Sequence, residues 1–260
     1  MLAAPSSRFI FGTLPWYSVL IVSGIVLALL YCFREEKRLG LPKDTVIDLA
    51  LWVIPFGVIG ARLYYVIFAW ETFAPQPLNV FKIWEGGLAI YGGVLGGLLA
   101  VLLFAGRRKL HPGMLTDMIV PGLALAQAIG RWGNYFNMEA YGAEITDAAW
   151  QFFPAGVQIP ENGDMVWHMA TFFYESMWNL AVFAVLMLLR KRLTRRGDLT
   201  CVYLVCYGLG RMVIEGLRTD SLMWGSVRVS QALSGALCIG ALTMLICRAV
   251  RAHQKTKREA

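Results

Sequence analysis

The chain has 260 residues, of which 57% are apolar or aromatic and only 16% are charged. A soluble domain usually carries about a quarter charged residues, so this composition favours a membrane protein. The net charge of +7 comes from short basic clusters between apolar runs, without the aromatic residues that would accompany a nucleic-acid surface. We therefore do not expect nucleic acid to be a partner.

Seven apolar runs with few charges are candidates for membrane-spanning helices, each of which needs roughly 20 residues. They lie near 14–33, 46–70, 87–105, 115–130, 171–189, 199–217 and 229–247. The first run has no small-residue cleavage site after it, which favours a permanent helix over a removed signal peptide. We predict an all-α polytopic membrane protein with about seven transmembrane helices, built as a single integral membrane domain over residues 1–260.

The basic residues predict the orientation of this bundle. Seventeen of the 24 Lys and Arg residues follow the first, third, fifth and seventh runs, which places them all on one side. Because basic loops stay in the cytoplasm, the N-terminus is predicted to lie outside and the C-terminus inside. Residues 131–170 then form a small external head between helices 4 and 5. Within it, Asn162-Gly163 separates two extended-looking flanks, which predicts a β-hairpin.

The second and third runs contain unusual residues. Arg62 lies well inside the second run, where it could snorkel to the interface or pair with a core carboxylate. The segment Glu85–Gly97 contains glycine pairs at helical spacing, Gly92/Gly96 and Gly93/Gly97. These pairs fit close helix packing, or a closely approached helix that holds Tyr91 against a substrate.

The fourth run ends in a segment rich in Gly, Asn, Arg and Glu, which we call the Gly130–Gly142 box. Glycines permit tight backbone at a ligand, and Arg with Asn supplies several hydrogen-bond donors. The candidate binding residues here are Arg131, Asn134, Asn137, Glu139 and Gly142. An ordinary interfacial turn is the alternative interpretation.

The sixth run places Tyr207, Arg211, Glu215 and Arg218 within an arc of roughly 80°, at about 100° per residue. Ionisable residues inside a membrane are expensive, so this face is a candidate site that lines a cavity. Alternatively, Arg211 and Glu215 merely neutralise each other, and Arg218 lies at the outer water boundary.

No metal or diffusible cofactor is expected. The five cysteines all lie in apolar runs without metal-ligand spacing or a disulfide framework, and we interpret them as packing residues. The three histidines form no His-Glu-x-x-His pattern.

At this point the sequence resembles the prolipoprotein diacylglyceryl transferase family. The Gly130–Gly142 box matches the family signature closely, and Tyr207-x3-Arg211-x3-Glu215-x2-Arg218 matches a second motif. Supporting matches, spread over nearly the whole chain, are Trp16-Tyr17, Gly60-Ala61-Arg62, Ile83-Trp84-Glu85-Gly86-Gly87 and Phe173-Tyr174-Glu175.

The resemblance implies a multi-pass enzyme of the bacterial plasma membrane, with an active site that opens to the bilayer and its outer face. Such an enzyme transfers the diacylglyceryl group of phosphatidylglycerol to the thiol of a prolipoprotein lipobox cysteine, forms a thioether and releases glycerol phosphate. The residues for which the resemblance implies importance are Tyr17, Arg131, Asn134, Glu139, Gly142, Tyr207, Arg211, Glu215 and Arg218. Tyr91, Arg62 and Asn137 join them as candidates from the patterns described above.

The expected roles follow from the chemistry of a departing phosphate. Arg131 and Arg211 are assigned to the phosphate, because guanidinium is always charged and can grip phosphate through two donors. Asn134 is expected to donate a hydrogen bond, and Glu139 to orient the cluster. Glu215 is expected to hold Arg211 or Arg218.

This sequence departs from the family pattern at two places. Tyr91-Gly92-Gly93 stands where many members have His-Gly-Gly, which leaves the proton acceptor open because a free phenol is protonated at neutral pH. His168-Met169-Ala170-Thr171 stands where His-Pro-Thr is common, which affects only a local turn.

Two other classes of protein remain as alternatives. A transporter or flippase for an anionic lipid or solute would also use buried arginines, and a scaffold helix bundle would need no site. Seven helices without a detectable repeat fit a secondary transporter poorly.

Overall fold

Among the residues that the structure describes, seven helices are long and apolar enough to cross a membrane. The computed structural model describes Pro5 and residues 7–219, 223–225 and 227–259. The seven helices are α1 (Trp16–Leu39), α2 (Thr45–Phe68), α4 (Ile90–Arg108), α5 (Pro112–Asn137), α6 (Thr171–Leu189), α7 (Asp198–Leu217) and α8 (Val229–Glu259), and a short helix α3 (Trp70–Phe73) follows α2. The predicted number of spanning helices is confirmed, whereas the N-out orientation remains a prediction.

The chain groups into two compact units. Cys32–Met118 form the smaller unit, and the described parts of Met1–Tyr31 and Ile119–Ala260 form the larger one. The single membrane domain proposed for residues 1–260 remains a prediction.

The core of the larger unit lies among α5, α6 and α7. Its buried side chains are mainly aliphatic, because these helices turn apolar faces toward one another; they are Val120, Ala124, Val182, Leu186, Leu199 and Tyr203. Small residues let α1 approach α5 closely: a Cβ atom added to Gly24 would lie 3.2 Å from the Cα of Ala126. The polar side chains of α5, α6 and α7 lie outside this apolar core and are available to form a site.

A β-hairpin lies between α5 and α6, as predicted. Strand β3 (Gly156–Glu161) pairs antiparallel with β4 (Asp164–Met169). The two-residue turn is Asn162-Gly163, and both residues have positive φ (52° and 98°), which is typical of a type I′ turn. Two shorter hairpins, β1 (Phe9–Ile10) with β2 (Leu14–Pro15) and β5 (Met223–Trp224) with β6 (Val227–Arg228), were not predicted.

The C-terminal end of α5 differs from the sequence expectation. The apolar run stops at 130, but the helix continues to Asn137, so residues 131–137, the first residues of the predicted head segment, are helical. The extension is polar, and a hydropathy pattern therefore cannot detect it. Its consequence is that Arg131 and Asn134 lie one helical turn apart on a regular helix.

In the smaller unit, glycines bring α2 and α4 into backbone contact. A Cβ atom on Gly60 would overlap the carbonyl oxygen of Gly92, and one on Gly96 would overlap that of Phe56. The close-packing interpretation is thus confirmed for Gly92 and Gly96. Gly97 has only an ordinary contact at 3.7 Å.

Candidate active site

Two arginines and two glutamates form one connected network in the larger unit. Glu175 bridges both arginines: its Oε1 lies 2.6 Å from Nη2 of Arg131, and its Oε2 lies 2.9 Å from Nη1 of Arg211. The other Nη of Arg211 lies 2.5 Å from Oε2 of Glu215. The glutamate side chains are only 4% and 2% exposed, and those of Arg131 and Arg211 are 22% and 13% exposed. Three helices, α5, α6 and α7, therefore meet in a single buried ionic cluster.

The polar face of α7 supplies one side of this cluster. Tyr207, Arg211 and Glu215 follow one another at intervals of four residues along the helix, and the side chain of Tyr207 is hydrogen-bonded to Arg131. Tyr207 also stacks on Tyr203, with ring centroids 5.5 Å apart. The predicted juxtaposition of these three residues is thus present in the structure.

Arg218 departs from the predicted helical face. Helix α7 ends at Leu217, and Arg218 adopts an extended conformation with φ −81° and ψ 147°. Its backbone forms an isolated antiparallel bridge with Gly142. This bridge replaces the next turn of the helix, so Arg218 does not continue the arc of Tyr207, Arg211 and Glu215.

The Gly130–Gly142 box folds back on its own carboxylate. Glu139 Oε1 accepts hydrogen bonds from the amide of Asn134 at 3.0 Å and from that of Asn137 at 3.2 Å. Asn134 Oδ1 in turn lies 3.5 Å from Nη1 of Arg131. Glu139 therefore fixes two amides, one of which faces Arg131, which is consistent with the orienting role expected for it.

Gly142 and Gly133 are sites of close approach. A Cβ atom on Gly142 would lie 2.8 Å from Cβ of Met169 and 2.9 Å from the carbonyl oxygen of Leu217. One on Gly133 would lie 2.6 Å from the ring of Tyr17, whose side chain is partly exposed. Both glycines are needed for packing, and Tyr17 lies directly against the box.

Arg62, in the smaller unit, follows neither of the two alternatives considered for it. Its side chain is buried and its guanidinium donates hydrogen bonds to five backbone carbonyl oxygens, at 2.6 to 3.3 Å. These carbonyls belong to Asn79, Val80, Lys82, Gly86 and Gly87. Arg62 therefore organises the irregular segment between α3 and α4, and its assignment to substrate binding stays a prediction.

Tyr91 lies in the first turn of α4, directly after that segment. The residues before and after it in the sequence both contact α2: the backbone N–H of Ala89 donates a hydrogen bond to the carbonyl oxygen of Ala61 at 3.0 Å, and Gly92 contacts Gly60. The rings of Tyr91 and Tyr64 lie 6.2 Å apart. The backbone on either side of Tyr91 therefore packs against α2 within the smaller unit.

Comparison with known proteins identifies the family. The family model described as prolipoprotein diacylglyceryl transferase matches residues 8–247. The chain belongs to the prolipoprotein diacylglyceryl transferase family. Curated relatives carry the name phosphatidylglycerol–prolipoprotein diacylglyceryl transferase, among them the following three. The relative from Limosilactobacillus reuteri (strain DSM 20016) is 47% identical over 243 residues, which cover 91% of this chain and 87% of the relative.

The other two relatives are similarly close. The Bacillus cereus protein is 44% identical over 90% of this chain and 87% of its own length. The Listeria monocytogenes (serotype 4a) protein is 42% identical over 91% of this chain and 86% of its own length. The family assignment that the sequence suggested is therefore confirmed, whereas the roles of individual residues remain predictions.

Glu175 belongs to the candidate site of this member of the prolipoprotein diacylglyceryl transferase family, but no role for it was predicted from the sequence. It lies in the second turn of α6, inside an apolar run, and an isolated carboxylate in such a run is itself a signal of a functional or paired group. Arg228 was also missed: it donates a hydrogen bond to the carbonyl oxygen of Glu215 near the end of α7. Its signal is weaker, because ten residues separate it from the end of the sixth apolar run and it has no charged neighbour at helical spacing.

The cluster is electrically balanced at rest. With all four groups ionised, the charges of Arg131 and Arg211 equal those of Glu175 and Glu215. The balance is uneven, however, because Arg211 contacts two carboxylates and Arg131 contacts one that it shares. In the described residues, no group of three or more His, Cys, Asp and Glu has the proximity of a metal site. The arrangement suits the binding of an organic anion by guanidinium groups.

Proposed function

We propose that this protein transfers the diacylglyceryl group of phosphatidylglycerol to the thiol of a prolipoprotein lipobox cysteine. In this reaction the bond between the glycerol carbon and the phosphate oxygen breaks, a carbon–sulfur bond forms, the thiol proton leaves and glycerol phosphate is released. The observation that carries the proposal is the buried Arg131–Glu175–Arg211–Glu215 network in a chain of this family. The names of the relatives support the same pair of substrates.

The network can stabilise the departing phosphate. Guanidinium groups held in a water-poor site stabilise developing negative charge far more than they would in water. Arg131 is the better placed of the two to accept the phosphate, because it is the more exposed and, among the residues that the structure describes, it contacts one carboxylate oxygen whereas Arg211 contacts two. Arg211, held at both ends by Glu175 and Glu215, supplies charge from a fixed position.

The thiol needs to lose a proton for the attack. A guanidinium close to the thiol favours the thiolate over the thiol, which lessens the need for a strong base. Tyr91 is the candidate for either proton transfer or positioning of the lipid. If its hydroxyl accepts the proton, Tyr91→Phe will nearly abolish turnover; if its ring positions the lipid, Phe will retain most activity and Ala will not. We expect positioning, and turnover of the two variants beside the wild type measures it.

The same proposal places the protein in the bacterial plasma membrane as a multi-pass enzyme. The basic residues at the C-terminal ends of the first, third, fifth and seventh spanning helices (α1, α4, α6 and α8), or after them, support a cytoplasmic C-terminus. The Arg131–Glu175 network then opens toward the bilayer and its outer face, where a secreted prolipoprotein would present its lipobox.

A reconstituted reaction tests the proposal. Purified protein is incubated with phosphatidylglycerol and a peptide that contains a lipobox cysteine, and mass spectrometry is used to detect a thioether-linked diacylglyceryl peptide and glycerol phosphate. A peptide with Ser in place of the Cys, and phosphatidylcholine in place of phosphatidylglycerol, serve as controls. Transport of the lipid across vesicles without thioether product would instead favour a flippase, and the absence of both would favour a scaffold.

A further inference from the structure

The smaller unit contains a groove between the beginning of α2 and the end of α4. Its volume is about 570 Å³, and the residues that line it are Asp48, Leu51, Trp52, Phe104, Arg107 and Arg108. Along α4, Arg107 lies about 24 Å from Tyr91, at the rise of 1.5 Å per residue of an α-helix. The groove therefore lies at the opposite end of this helix from Tyr91, and it shares no residue with the Arg131–Glu175 network.

One end of the groove is cationic. Arg108 is engaged in an ion pair with Asp48, and its guanidinium lies 5.8 Å from the centre of the Phe104 ring. The neighbouring Arg107 is exposed, and within the part of the chain that the structure describes it has no carboxylate partner. One guanidinium in the groove is therefore available to an anion.

The other wall is apolar and opens to the surroundings of the helix bundle. Leu51 is 68% exposed, and Trp52 packs edge-to-face on Phe104 with ring centroids 6.3 Å apart. An exposed leucine on a spanning helix faces acyl chains, and a tryptophan at its end is typical of the membrane–water interface. The groove thus combines an exposed guanidinium with an exposed apolar wall.

We propose that this groove binds the head group of an anionic phospholipid, with the phosphate on Arg107 and an acyl chain along Leu51. Basic pockets between transmembrane helices are a common setting for anionic head groups, and guanidinium can bind phosphate through two donors. Free phosphate would leave the apolar wall without a ligand. The predicted orientation assigns this lipid to the cytoplasmic leaflet, so it is not the molecule that the proposed transferase site consumes.

Photo-crosslinking of the full-length protein tests the site. A benzophenone amino acid replaces Leu51, and the protein is reconstituted in phosphatidylcholine vesicles that contain phosphatidylserine at a known fraction. We expect cross-linking to phosphatidylserine to exceed that to phosphatidylcholine about fivefold at equal abundance, since each basic residue near the surface contributes that much preference. Arg107→Gln should remove the preference, and Arg107→Lys should retain most of it.

Controls make each outcome decisive. Arg251→Gln removes an exposed positive charge from α8 and should leave the preference unchanged. Equal cross-linking to both lipids, or a preference that survives Arg107→Gln, would overturn the proposal. Full competition by inorganic phosphate would assign the groove to a free anion and not to a lipid. Because phosphatidylserine need not react, the readout does not depend on transferase activity.

Discussion

Replacing Glu175 by Gln perturbs the site at a side chain that holds both arginines. In the structure each carboxylate oxygen of Glu175 contacts a different arginine, and glutamine has the same length but only one acceptor oxygen, so in this geometry it accepts from Arg131 or from Arg211 but not from both. Its NH2 group would face the guanidinium that loses its partner. The substitution also removes one of the two negative charges that balance the arginines.

The size of the effect follows from the burial of these groups. Removing one partner of a buried ion pair costs about 3–5 kcal/mol, because the remaining charge is left uncompensated. We expect the lower end, about 3 kcal/mol, because Arg131 is 22% exposed and Arg211 keeps its contact with Glu215. If the transition state loses a comparable amount of stabilisation, turnover will fall about 100-fold, since each 1.36 kcal/mol is tenfold in rate.

Thioether formation and thermal unfolding of the purified variant measure the two effects separately. Glu35→Gln is a matched control, because Glu35 is 2% exposed and pairs with Arg38 at 2.6 Å in the smaller unit. It should lower the unfolding temperature but preserve turnover per folded molecule. If Glu175→Gln also preserved turnover per folded molecule, Glu175 would be a structural ion-pair partner and the network would not act in the reaction.

Three further predictions address the arginine fork, the helix packing and the topology. Arg211→Lys keeps the positive charge but loses the planar fork whose two nitrogens contact Glu175 and Glu215, so thioether formation should fall at least tenfold at matched membrane levels, by about 1.4 kcal/mol or more; near-normal turnover would remove Arg211 from the catalytic assignment. Gly92→Ala should separate α2 from α4 and reduce folded protein in detergent, as its Cβ would overlap the carbonyl oxygen of Gly60. A tag inserted at Gly163, in an exposed turn, should be accessible from outside, whereas a reporter fused after Ala260 should be cytoplasmic. Accessibility of both from one side would contradict the seven-helix topology.

The elements that the sequence predicts correctly are those determined by residues close together in the chain. A spanning helix needs about 20 apolar residues, so hydropathy finds the seven helices to within a few residues at most ends. The turn Asn162-Gly163 needs two residues that tolerate positive φ, and few other dipeptides do. The spacing of Tyr207, Arg211 and Glu215 specifies one face of α7 without reference to any other helix.

The residues that sequence reasoning misplaced or missed depend on contacts distant along the chain. The partners of Glu175 are 44 and 36 positions away, on α5 and α7, so no local pattern could select them. Arg62 binds carbonyl groups of an irregular segment, and backbone acceptors leave no trace in the side-chain pattern. Arg218 leaves the helical face because its backbone pairs with Gly142, a contact that requires the folded Gly130–Gly142 box.

The carboxylate of Glu175, which contacts both arginines, affects the stability of the site at rest and the release of the product. Two uncompensated arginines in a water-poor cavity would be costly at rest and would hold a doubly charged glycerol phosphate too tightly for release. A counter-ion that bridges both arginines lowers the first of these costs, and it competes with the product for the same donors. Arg131, with one contact to Glu175, can turn toward a phosphate while Arg211 stays anchored by Glu215. Under the proposed function, the unequal pairing of the two arginines therefore lets the site bind a phosphate during the reaction and return to a neutral cluster after it leaves.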